Sequence, residues 1–340
     1  PVEHLELQDN GIENCRTKVR GIKPQQFSIT EKREISMKKI IIAILLSIIL
    51  ILTACSQEQA QAPAARTGAF IGGTTGLTAL FEPLSIKEEN IFTVFDTEDF
   101  PLVVDLRNKG EETIQPNGVR LRLLGPAQQD FANIPLWTVQ NQQVIEKVSD
   151  FNPQGGEEIL SFTPQARARY TSLVTGFTDI TWNLEFNYDY KTHLIINDIC
   201  FKGDPTDLKV CNPKEKKTFA VSAAPITITN VEQDSAGRGV ILMKIDVQNA
   251  GQGHSTIIGT DFDQRFDQLA YTIDEPDKWE CKSGGRENEA RLTEGKAQIL
   301  CRLKLPLAEA DLYTRSVRLT VSYAYKELIQ EKLRIKESAR

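Results

Sequence analysis

Ile180-Thr-Trp-Asn-Leu-Glu-Phe-Asn-Tyr-Asp-Tyr-Lys191 alternates without a break. Ile180, Trp182, Leu184, Phe186, Tyr188 and Tyr190 fall on one face, while Thr181, Asn183, Glu185, Asn187, Asp189 and Lys191 fall on the other. Successive side chains of an extended chain point to opposite sides, so this period of two predicts a half-buried antiparallel strand. The pattern returns near the C-terminus, where Val317, Leu319, Val321, Tyr323 and Tyr325 oppose Arg318, Thr320, Ser322, Ala324 and Lys326. Both segments end in Tyr-x-Tyr-Lys.

Working outward, other anchors recur in the same order. Asp105-Leu-Arg-Asn108-Lys-Gly110 matches Asp246-Val-Gln-Asn249-Ala-Gly251 at an offset of 141 residues, each at the end of an apolar run. Ile159-Leu160, after Gly155-Gly156, matches Ile299-Leu300, after Gly295, at an offset of 140, and Tyr188 and Tyr323 differ by 135. Ordered anchors at nearly constant offset predict an internal duplication of short strands separated by turn residues. The first copy is expected over residues 70–212 and the second over 214–336. Each has room for seven or more strands and neither carries a long amphipathic helix, so two packed antiparallel sheets per copy are the expected solution.

The strand ending in Asn-x-Gly, followed by a polar loop and a Gly-led strand, resembles the CARDB and related immunoglobulin-like domains of prokaryotic surface proteins. In the second copy the likeness begins at Pro225-Ile-Thr-Ile-Thr-Asn230 and runs through Val240 to Gly251. In the first copy, the lead-in Gly72-Gly-Thr-Thr-Gly-Leu77 and the stretch Phe100 to Gly110 are similar to surface lipoproteins of small-genome archaea. The expected class is therefore all-β, with two tandem immunoglobulin-like β-sandwich domains after an N-terminal signal helix and a flexible tether.

The address is read further upstream. Met37 is the first of two methionines, and residues 1–36 are expected to be a non-native upstream extension. Met37-Lys38-Lys39 opens an uncharged apolar run from Ile40 to Leu52, ending in Leu52-Thr53-Ala54-Cys55. Two lysines, an apolar core too short to span a bilayer and a small-residue cut site form the layout of a secretory signal over 37–54. The last four residues resemble the lipobox of prokaryotic lipoproteins. That resemblance implies a diacylglyceryl group on Cys55 and permanent anchoring to the membrane, since two acyl chains hold where one does not. Ser56 to Ala69 contains no aliphatic residue larger than alanine, the composition of a flexible linker.

Residues 1–54 hold eight Lys/Arg and six Asp/Glu, so the remainder sets 32 basic against 40 acidic side chains, a net of −8. That sign opposes a broad phosphate-binding surface, and no nucleic-acid partner is expected. Beyond Cys15 and Cys55 four cysteines remain, the even count of an oxidising compartment. Four cysteines allow three pairings. Local spacing favours Cys200 with Cys211 across a Gly-Asp-Pro turn, and Cys281 with Cys301. Zinc is the alternative reading, but no CxxC and no nearby histidine supports it.

Chemistry is sparse. His193 and His254 lie in different copies, with no GxSxG elbow or HExxH helix. A hydrolase would need His254 beside the carboxylates of Asp261-Phe-Asp263-Gln-Arg-Phe-Asp267 in a concave pocket. Asp261, Asp263 and Asp267 are weak calcium candidates, because the loop lacks the glycine and terminal glutamate of an EF-hand and contains Arg265. Trp137 and Trp279 stand in expected loops and are weak candidates for stacking a sugar or other ligand. No cofactor and no catalytic residue are expected. The leading expectation is a non-enzymatic, extracytoplasmic lipoprotein, anchored through Cys55 and contacting another envelope or surface protein. The alternative is an extracytoplasmic ligand or glycan binder.

Overall fold

The computed structural model describes residues 69–339 apart from 205, 207, 208 and 264. The signal segment and Cys55 lie outside the described residues. Chain order gives β1 Leu77–Phe81, β2 Ile86–Glu88, β3 Ile91–Phe95, β4 Asp99–Phe100, β5 Val103–Asn108, β6 Val119–Gly125, β7 Phe131–Ala132, β8 Thr138–Gln140, β9 Glu157–Ser161, β10 Ala168–Tyr170 and β11 Phe177–Lys202. There follow β12 Glu215–Lys216, β13 Phe219–Val221, β14 Ile226–Gly237, β15 Val240–Asn249, β16 His254–Thr256, β17 Asp267–Ile273, β18 Trp279–Ser283, β19 Arg286–Glu287, β20 Glu289–Leu292, β21 Lys296–Leu303 and β22 Leu312–Lys336. The chain is all-β: among the described residues there is no α-helix, hence none long and apolar enough to cross a membrane.

Two strands organise everything else. β11 carries the alternating segment, and Trp182, Leu184, Phe186, Tyr188 and Tyr190 are buried as the period of two requires. It pairs antiparallel with β22, from Phe177↔Lys336 to Lys202↔Leu312 with one shift between Ile196 and Ile199. Tyr188 faces Tyr325 and Tyr190 faces Tyr323 across this ladder. The repeat offset of 135 therefore turns the pair Asp189↔Ala324 into the centre of a pseudo-twofold axis: β11 and β22 exchange places about it.

Five further strands of each copy obey the same operation. In the first copy β5 sits between β1 and β9, while β6 pairs with β11 and β8. In the second, β15 sits between β14 and β21, while β17 pairs with β22 and β20. The first sandwich packs Leu77, Val104, Leu106 and Leu160 with Leu121, Trp182, Leu184 and Phe186, all in one buried core with their second-copy counterparts Met243, Ile245, Val247, Ile299, Tyr271 and Leu319. Removing each such large apolar side chain from water contributes about 1.5–3 kcal/mol.

A boundary near 213 divides the copies in sequence, but the strands do not respect it. β3 of the first copy pairs in parallel with the end of β22, and β13 pairs with β11. The described residues belong to a single compact unit.

The structure also corrects one alignment. Asn108 N–H donates to Gly156 O at 3.0 Å and Asn249 N–H to Gly295 O at 2.8 Å, which makes the glycines equivalent at an offset of 139. Leu160 thus corresponds to Ile299, and Ile159 to Gln298, one residue away from the match suggested by sequence. A one-residue slip reverses faces, which is why Ile159 is exposed whereas Ile299 is buried.

Candidate functional site

The Asn-x-Gly motif is explained at the pseudo-twofold seam. Asn108 Nδ2 donates to Glu112 O and Ile145 O, and its Oδ1 accepts from Gly110 N and the Tyr190 hydroxyl at 3.0 Å. Asn249 Nδ2 donates to Gly253 O and Asp267 Oδ2, and its Oδ1 accepts from Gly251 N and the Tyr325 hydroxyl at 2.9 Å. Each tyrosine oxygen accepts one backbone N–H in return, from Glu112 and Gly253 respectively. A β-carbon on Gly110 or Gly251 would overlap the hydroxyl of its tyrosine, so the glycine is there for the close approach. Burial pushes all four seam tyrosines, Tyr188, Tyr190, Tyr323 and Tyr325, above the ordinary phenol value.

The lead-in chain is fastened at the same seam. Glu111, nearly inaccessible, accepts the N–H groups of Ile71, Gly72 and Ala223 at 2.8–2.9 Å. Three backbone donors satisfy a carboxylate that would otherwise be costly to bury. His193 Nε2 lies 3.0 Å from Glu112 Oε2, and its ring stacks on Phe70, so this histidine belongs to the seam.

Both disulfides favoured by spacing are present, Cys200–Cys211 and Cys281–Cys301. Gln233 clamps the backbone of Cys200 in both directions, and the buried Lys202 ammonium donates to Lys209 O and Cys211 O. Cys281 and Cys301 are directly opposed on β18 and β21. Paired cysteines of this kind mark an oxidising, extracytoplasmic environment.

The weak ligand candidates do not assemble. Trp279 is on β18 rather than in a loop, 3% exposed and edge-on to Phe201, so it has no free face to offer. Trp137 is half-buried and packs on Trp182. Asp263 is bound by Arg265 through both carboxylate oxygens, which holds it down to about 2. Asp267 points the other way, to His254 Nδ1 at 3.2 Å, Ser255 N and Asn249 Nδ2, where it braces the Asn-x-Gly loop. Asp261 contributes its backbone oxygen to Thr256 Oγ1. A calcium site would need these three carboxylates to converge. Instead, local pairing with Arg265 and His254 disperses them, and no group of three His, Cys, Asp or Glu suited to a metal occurs among the described residues.

What the sequence reading missed is an asymmetry between the copies. On the outer face of the second copy, Asp246 lies between Asn230 and Gln298, and both amides donate to it. The equivalent Asp105 lies between Leu80 and Ile159, which are 66% and 62% exposed. The second difference is at the flank. β21 is covered by β18, which also packs beside β20. Among the described residues β9 forms a ladder with β5 alone, because the chain between β6 and β8 turns away through Gln128–Asp130 to place β7 against β10. A groove of about 490 Å3 is left beside β9, lined by residues that include Arg120, Leu136, Val139, Leu160 and Pro164. Comparing the copies position by position, Leu80 with Asn230 and Ile159 with Gln298, is the signal that would have found it.

No protein-family model matches the chain, and no curated protein matches it in sequence.

Proposed function

We propose that this chain is a lipid-anchored, extracytoplasmic module that acts without catalysis, by contact with another protein of the cell envelope or surface. The observation that carries the reading is the open flank of the first sandwich together with the exposed Leu80 and Ile159, which stand on either side of Asp105 where the second sandwich has amides. Exposed aliphatic side chains beside an unpaired strand edge are features of contact surfaces. The disulfides support the compartment, and the lipobox-like Leu52-Thr-Ala-Cys55 supports the anchor. Burial of Trp279 and the packing of the half-buried Trp137 on Trp182 weaken the glycan reading at the two indoles on which it rests.

Chemical cross-linking of intact cells, followed by enrichment of this chain and mass spectrometry of its linked peptides, tests the reading. The expected result is reproducible links from residues 77–81 or 136–161 to one envelope protein, with a diacyl mass on the Cys55 peptide. Links confined to the chain itself, or an unmodified Cys55, would remove the corresponding half of the proposal.

A further inference from the structure

The geometry points to β9 as a docking edge for an extended, acidic segment of a partner protein, which adds to the first sandwich as an antiparallel strand in the groove between β9 and β8. This rests on the interaction-module reading and names the partner's chemistry.

The second copy shows what such a flank accepts. There β18 pairs with β21 through Glu280↔Arg302 and Lys282↔Leu300, with its apolar residues Trp279 and Cys281 turned inward. The first copy has the same two edges without the strand. Along β9, Phe162 N–H donates to Leu102 O and Gly156 O accepts from Asn108, so even-numbered residues bond to β5. Alternation in an antiparallel ladder then turns the backbone groups of Glu157, Ile159 and Ser161 outward. Native edges are ordinarily blunted by charged side chains, proline or a bulge; in β9, Glu-Glu-Ile-Leu-Ser, Glu157 is paired with Arg107 and Glu158 accepts the N–H groups of Gln142 and Gln143, which leaves the Ile159–Ser161 end open. The addition is short, because Ser161 Oγ already takes the N–H of Thr163.

The charge follows from the lining. Arg120 is the one charged residue among those that line the groove, and it makes no ion pair among the described residues. Its neighbour Arg122 is 3.6 Å from Glu185. A strand whose inward residues are aliphatic and whose residue beside β8 is a carboxylate complements this lining, whereas a basic strand would meet a like charge.

The test is a fluorescence-anisotropy titration of the full chain in detergent micelles with a short capped peptide alternating valine and threonine and carrying one glutamate. Saturable binding is expected. Ile159→Pro removes the outward N–H without breaking a native hydrogen bond, and binding should fall about tenfold or more. Arg120→Glu should weaken the glutamate peptide to a similar extent and favour a lysine counterpart. Ile159→Lys provides a second edge variant, and unchanged unfolding midpoints show that each variant is folded. Absence of binding, or binding indifferent to both Ile159→Pro and Arg120→Glu, overturns the inference. So does self-association abolished by Ile159→Pro that the peptide does not compete, which would assign the edge to a second copy. Cellular cross-links to a partner through another face would end this inference while leaving the module reading intact. Peptide binding without any cellular partner would end both, leaving β9 as an edge that accepts a strand no envelope protein supplies.

Discussion

Asn108 has no exposed surface, and four hydrogen bonds converge on its amide. Asn108→Ala strands two carbonyls, a backbone N–H and the Tyr190 hydroxyl inside the seam, and should cost about 2–4 kcal/mol in urea unfolding. Asn249 has the matching set but is only half-buried, so water can replace part of it and Asn249→Ala should cost less. Equal losses would mean that the seam is more open than its packing implies. The tyrosines give a pH signature. Their folded-state values are raised by burial above the ordinary 10.0, so the folded protein retains protons that the unfolded chain releases. Their stabilising contribution is complete below about pH 10 and is lost as pH rises beyond it towards the folded-state values. Urea midpoints should therefore fall steeply above pH 10, with tyrosinate absorbance appearing together with unfolding. Ionisation of all seven tyrosines before any loss of structure would contradict their burial.

At the scale of elements, β18 depends on its bond to β21. Replacing Cys281 and Cys301 together by alanine should destabilise the protein by about 2–4 kcal/mol and raise amide exchange in β18 before β15. Exchange rising uniformly would show that the bond has no local role. These elements also mark how far the sequence could be read. Alternation identified the buried face of β11 residue by residue, because side-chain direction is a local property of an extended chain. Cysteine spacing indicated both bridges for a similar reason, since few partners were available. The pairing of Ile159 with Ile299 failed because hydrophobic identity does not fix register; the glycine carbonyls at 156 and 295 do. Asp277-Lys-Trp-Glu reads as a loop, yet Trp279 lies on a strand stabilised by β21, a contact that no local pattern reveals. The open flank was invisible for the same reason: it is defined by the absence of a neighbour at β9, which depends on where residues 126–137 travel.

At the scale of the whole molecule, duplication has produced a fused pair rather than two independent beads. β11 gives its first half to one sandwich and its second half to the other, and β22 does so in the opposite direction. A chain ending at 212 would keep Trp182 and Leu184 but lose the strand that pairs with them, Ile329 and Glu331 included. It would also expose one edge of a 26-residue strand, well beyond the usual strand of about five or six, and such edges aggregate. Residues 69–212 expressed alone should therefore lack a cooperative unfolding transition, as should residues 213–339. The two fragments mixed during refolding should recover one, through the β11–β22 ladder. The intact protein should unfold in a single transition, with fluorescence of Trp182 in the first sandwich and Trp279 in the second changing together. A cooperative transition in either fragment by itself would show that each sandwich is sufficient, and that the long strands link domains which need no partner to fold.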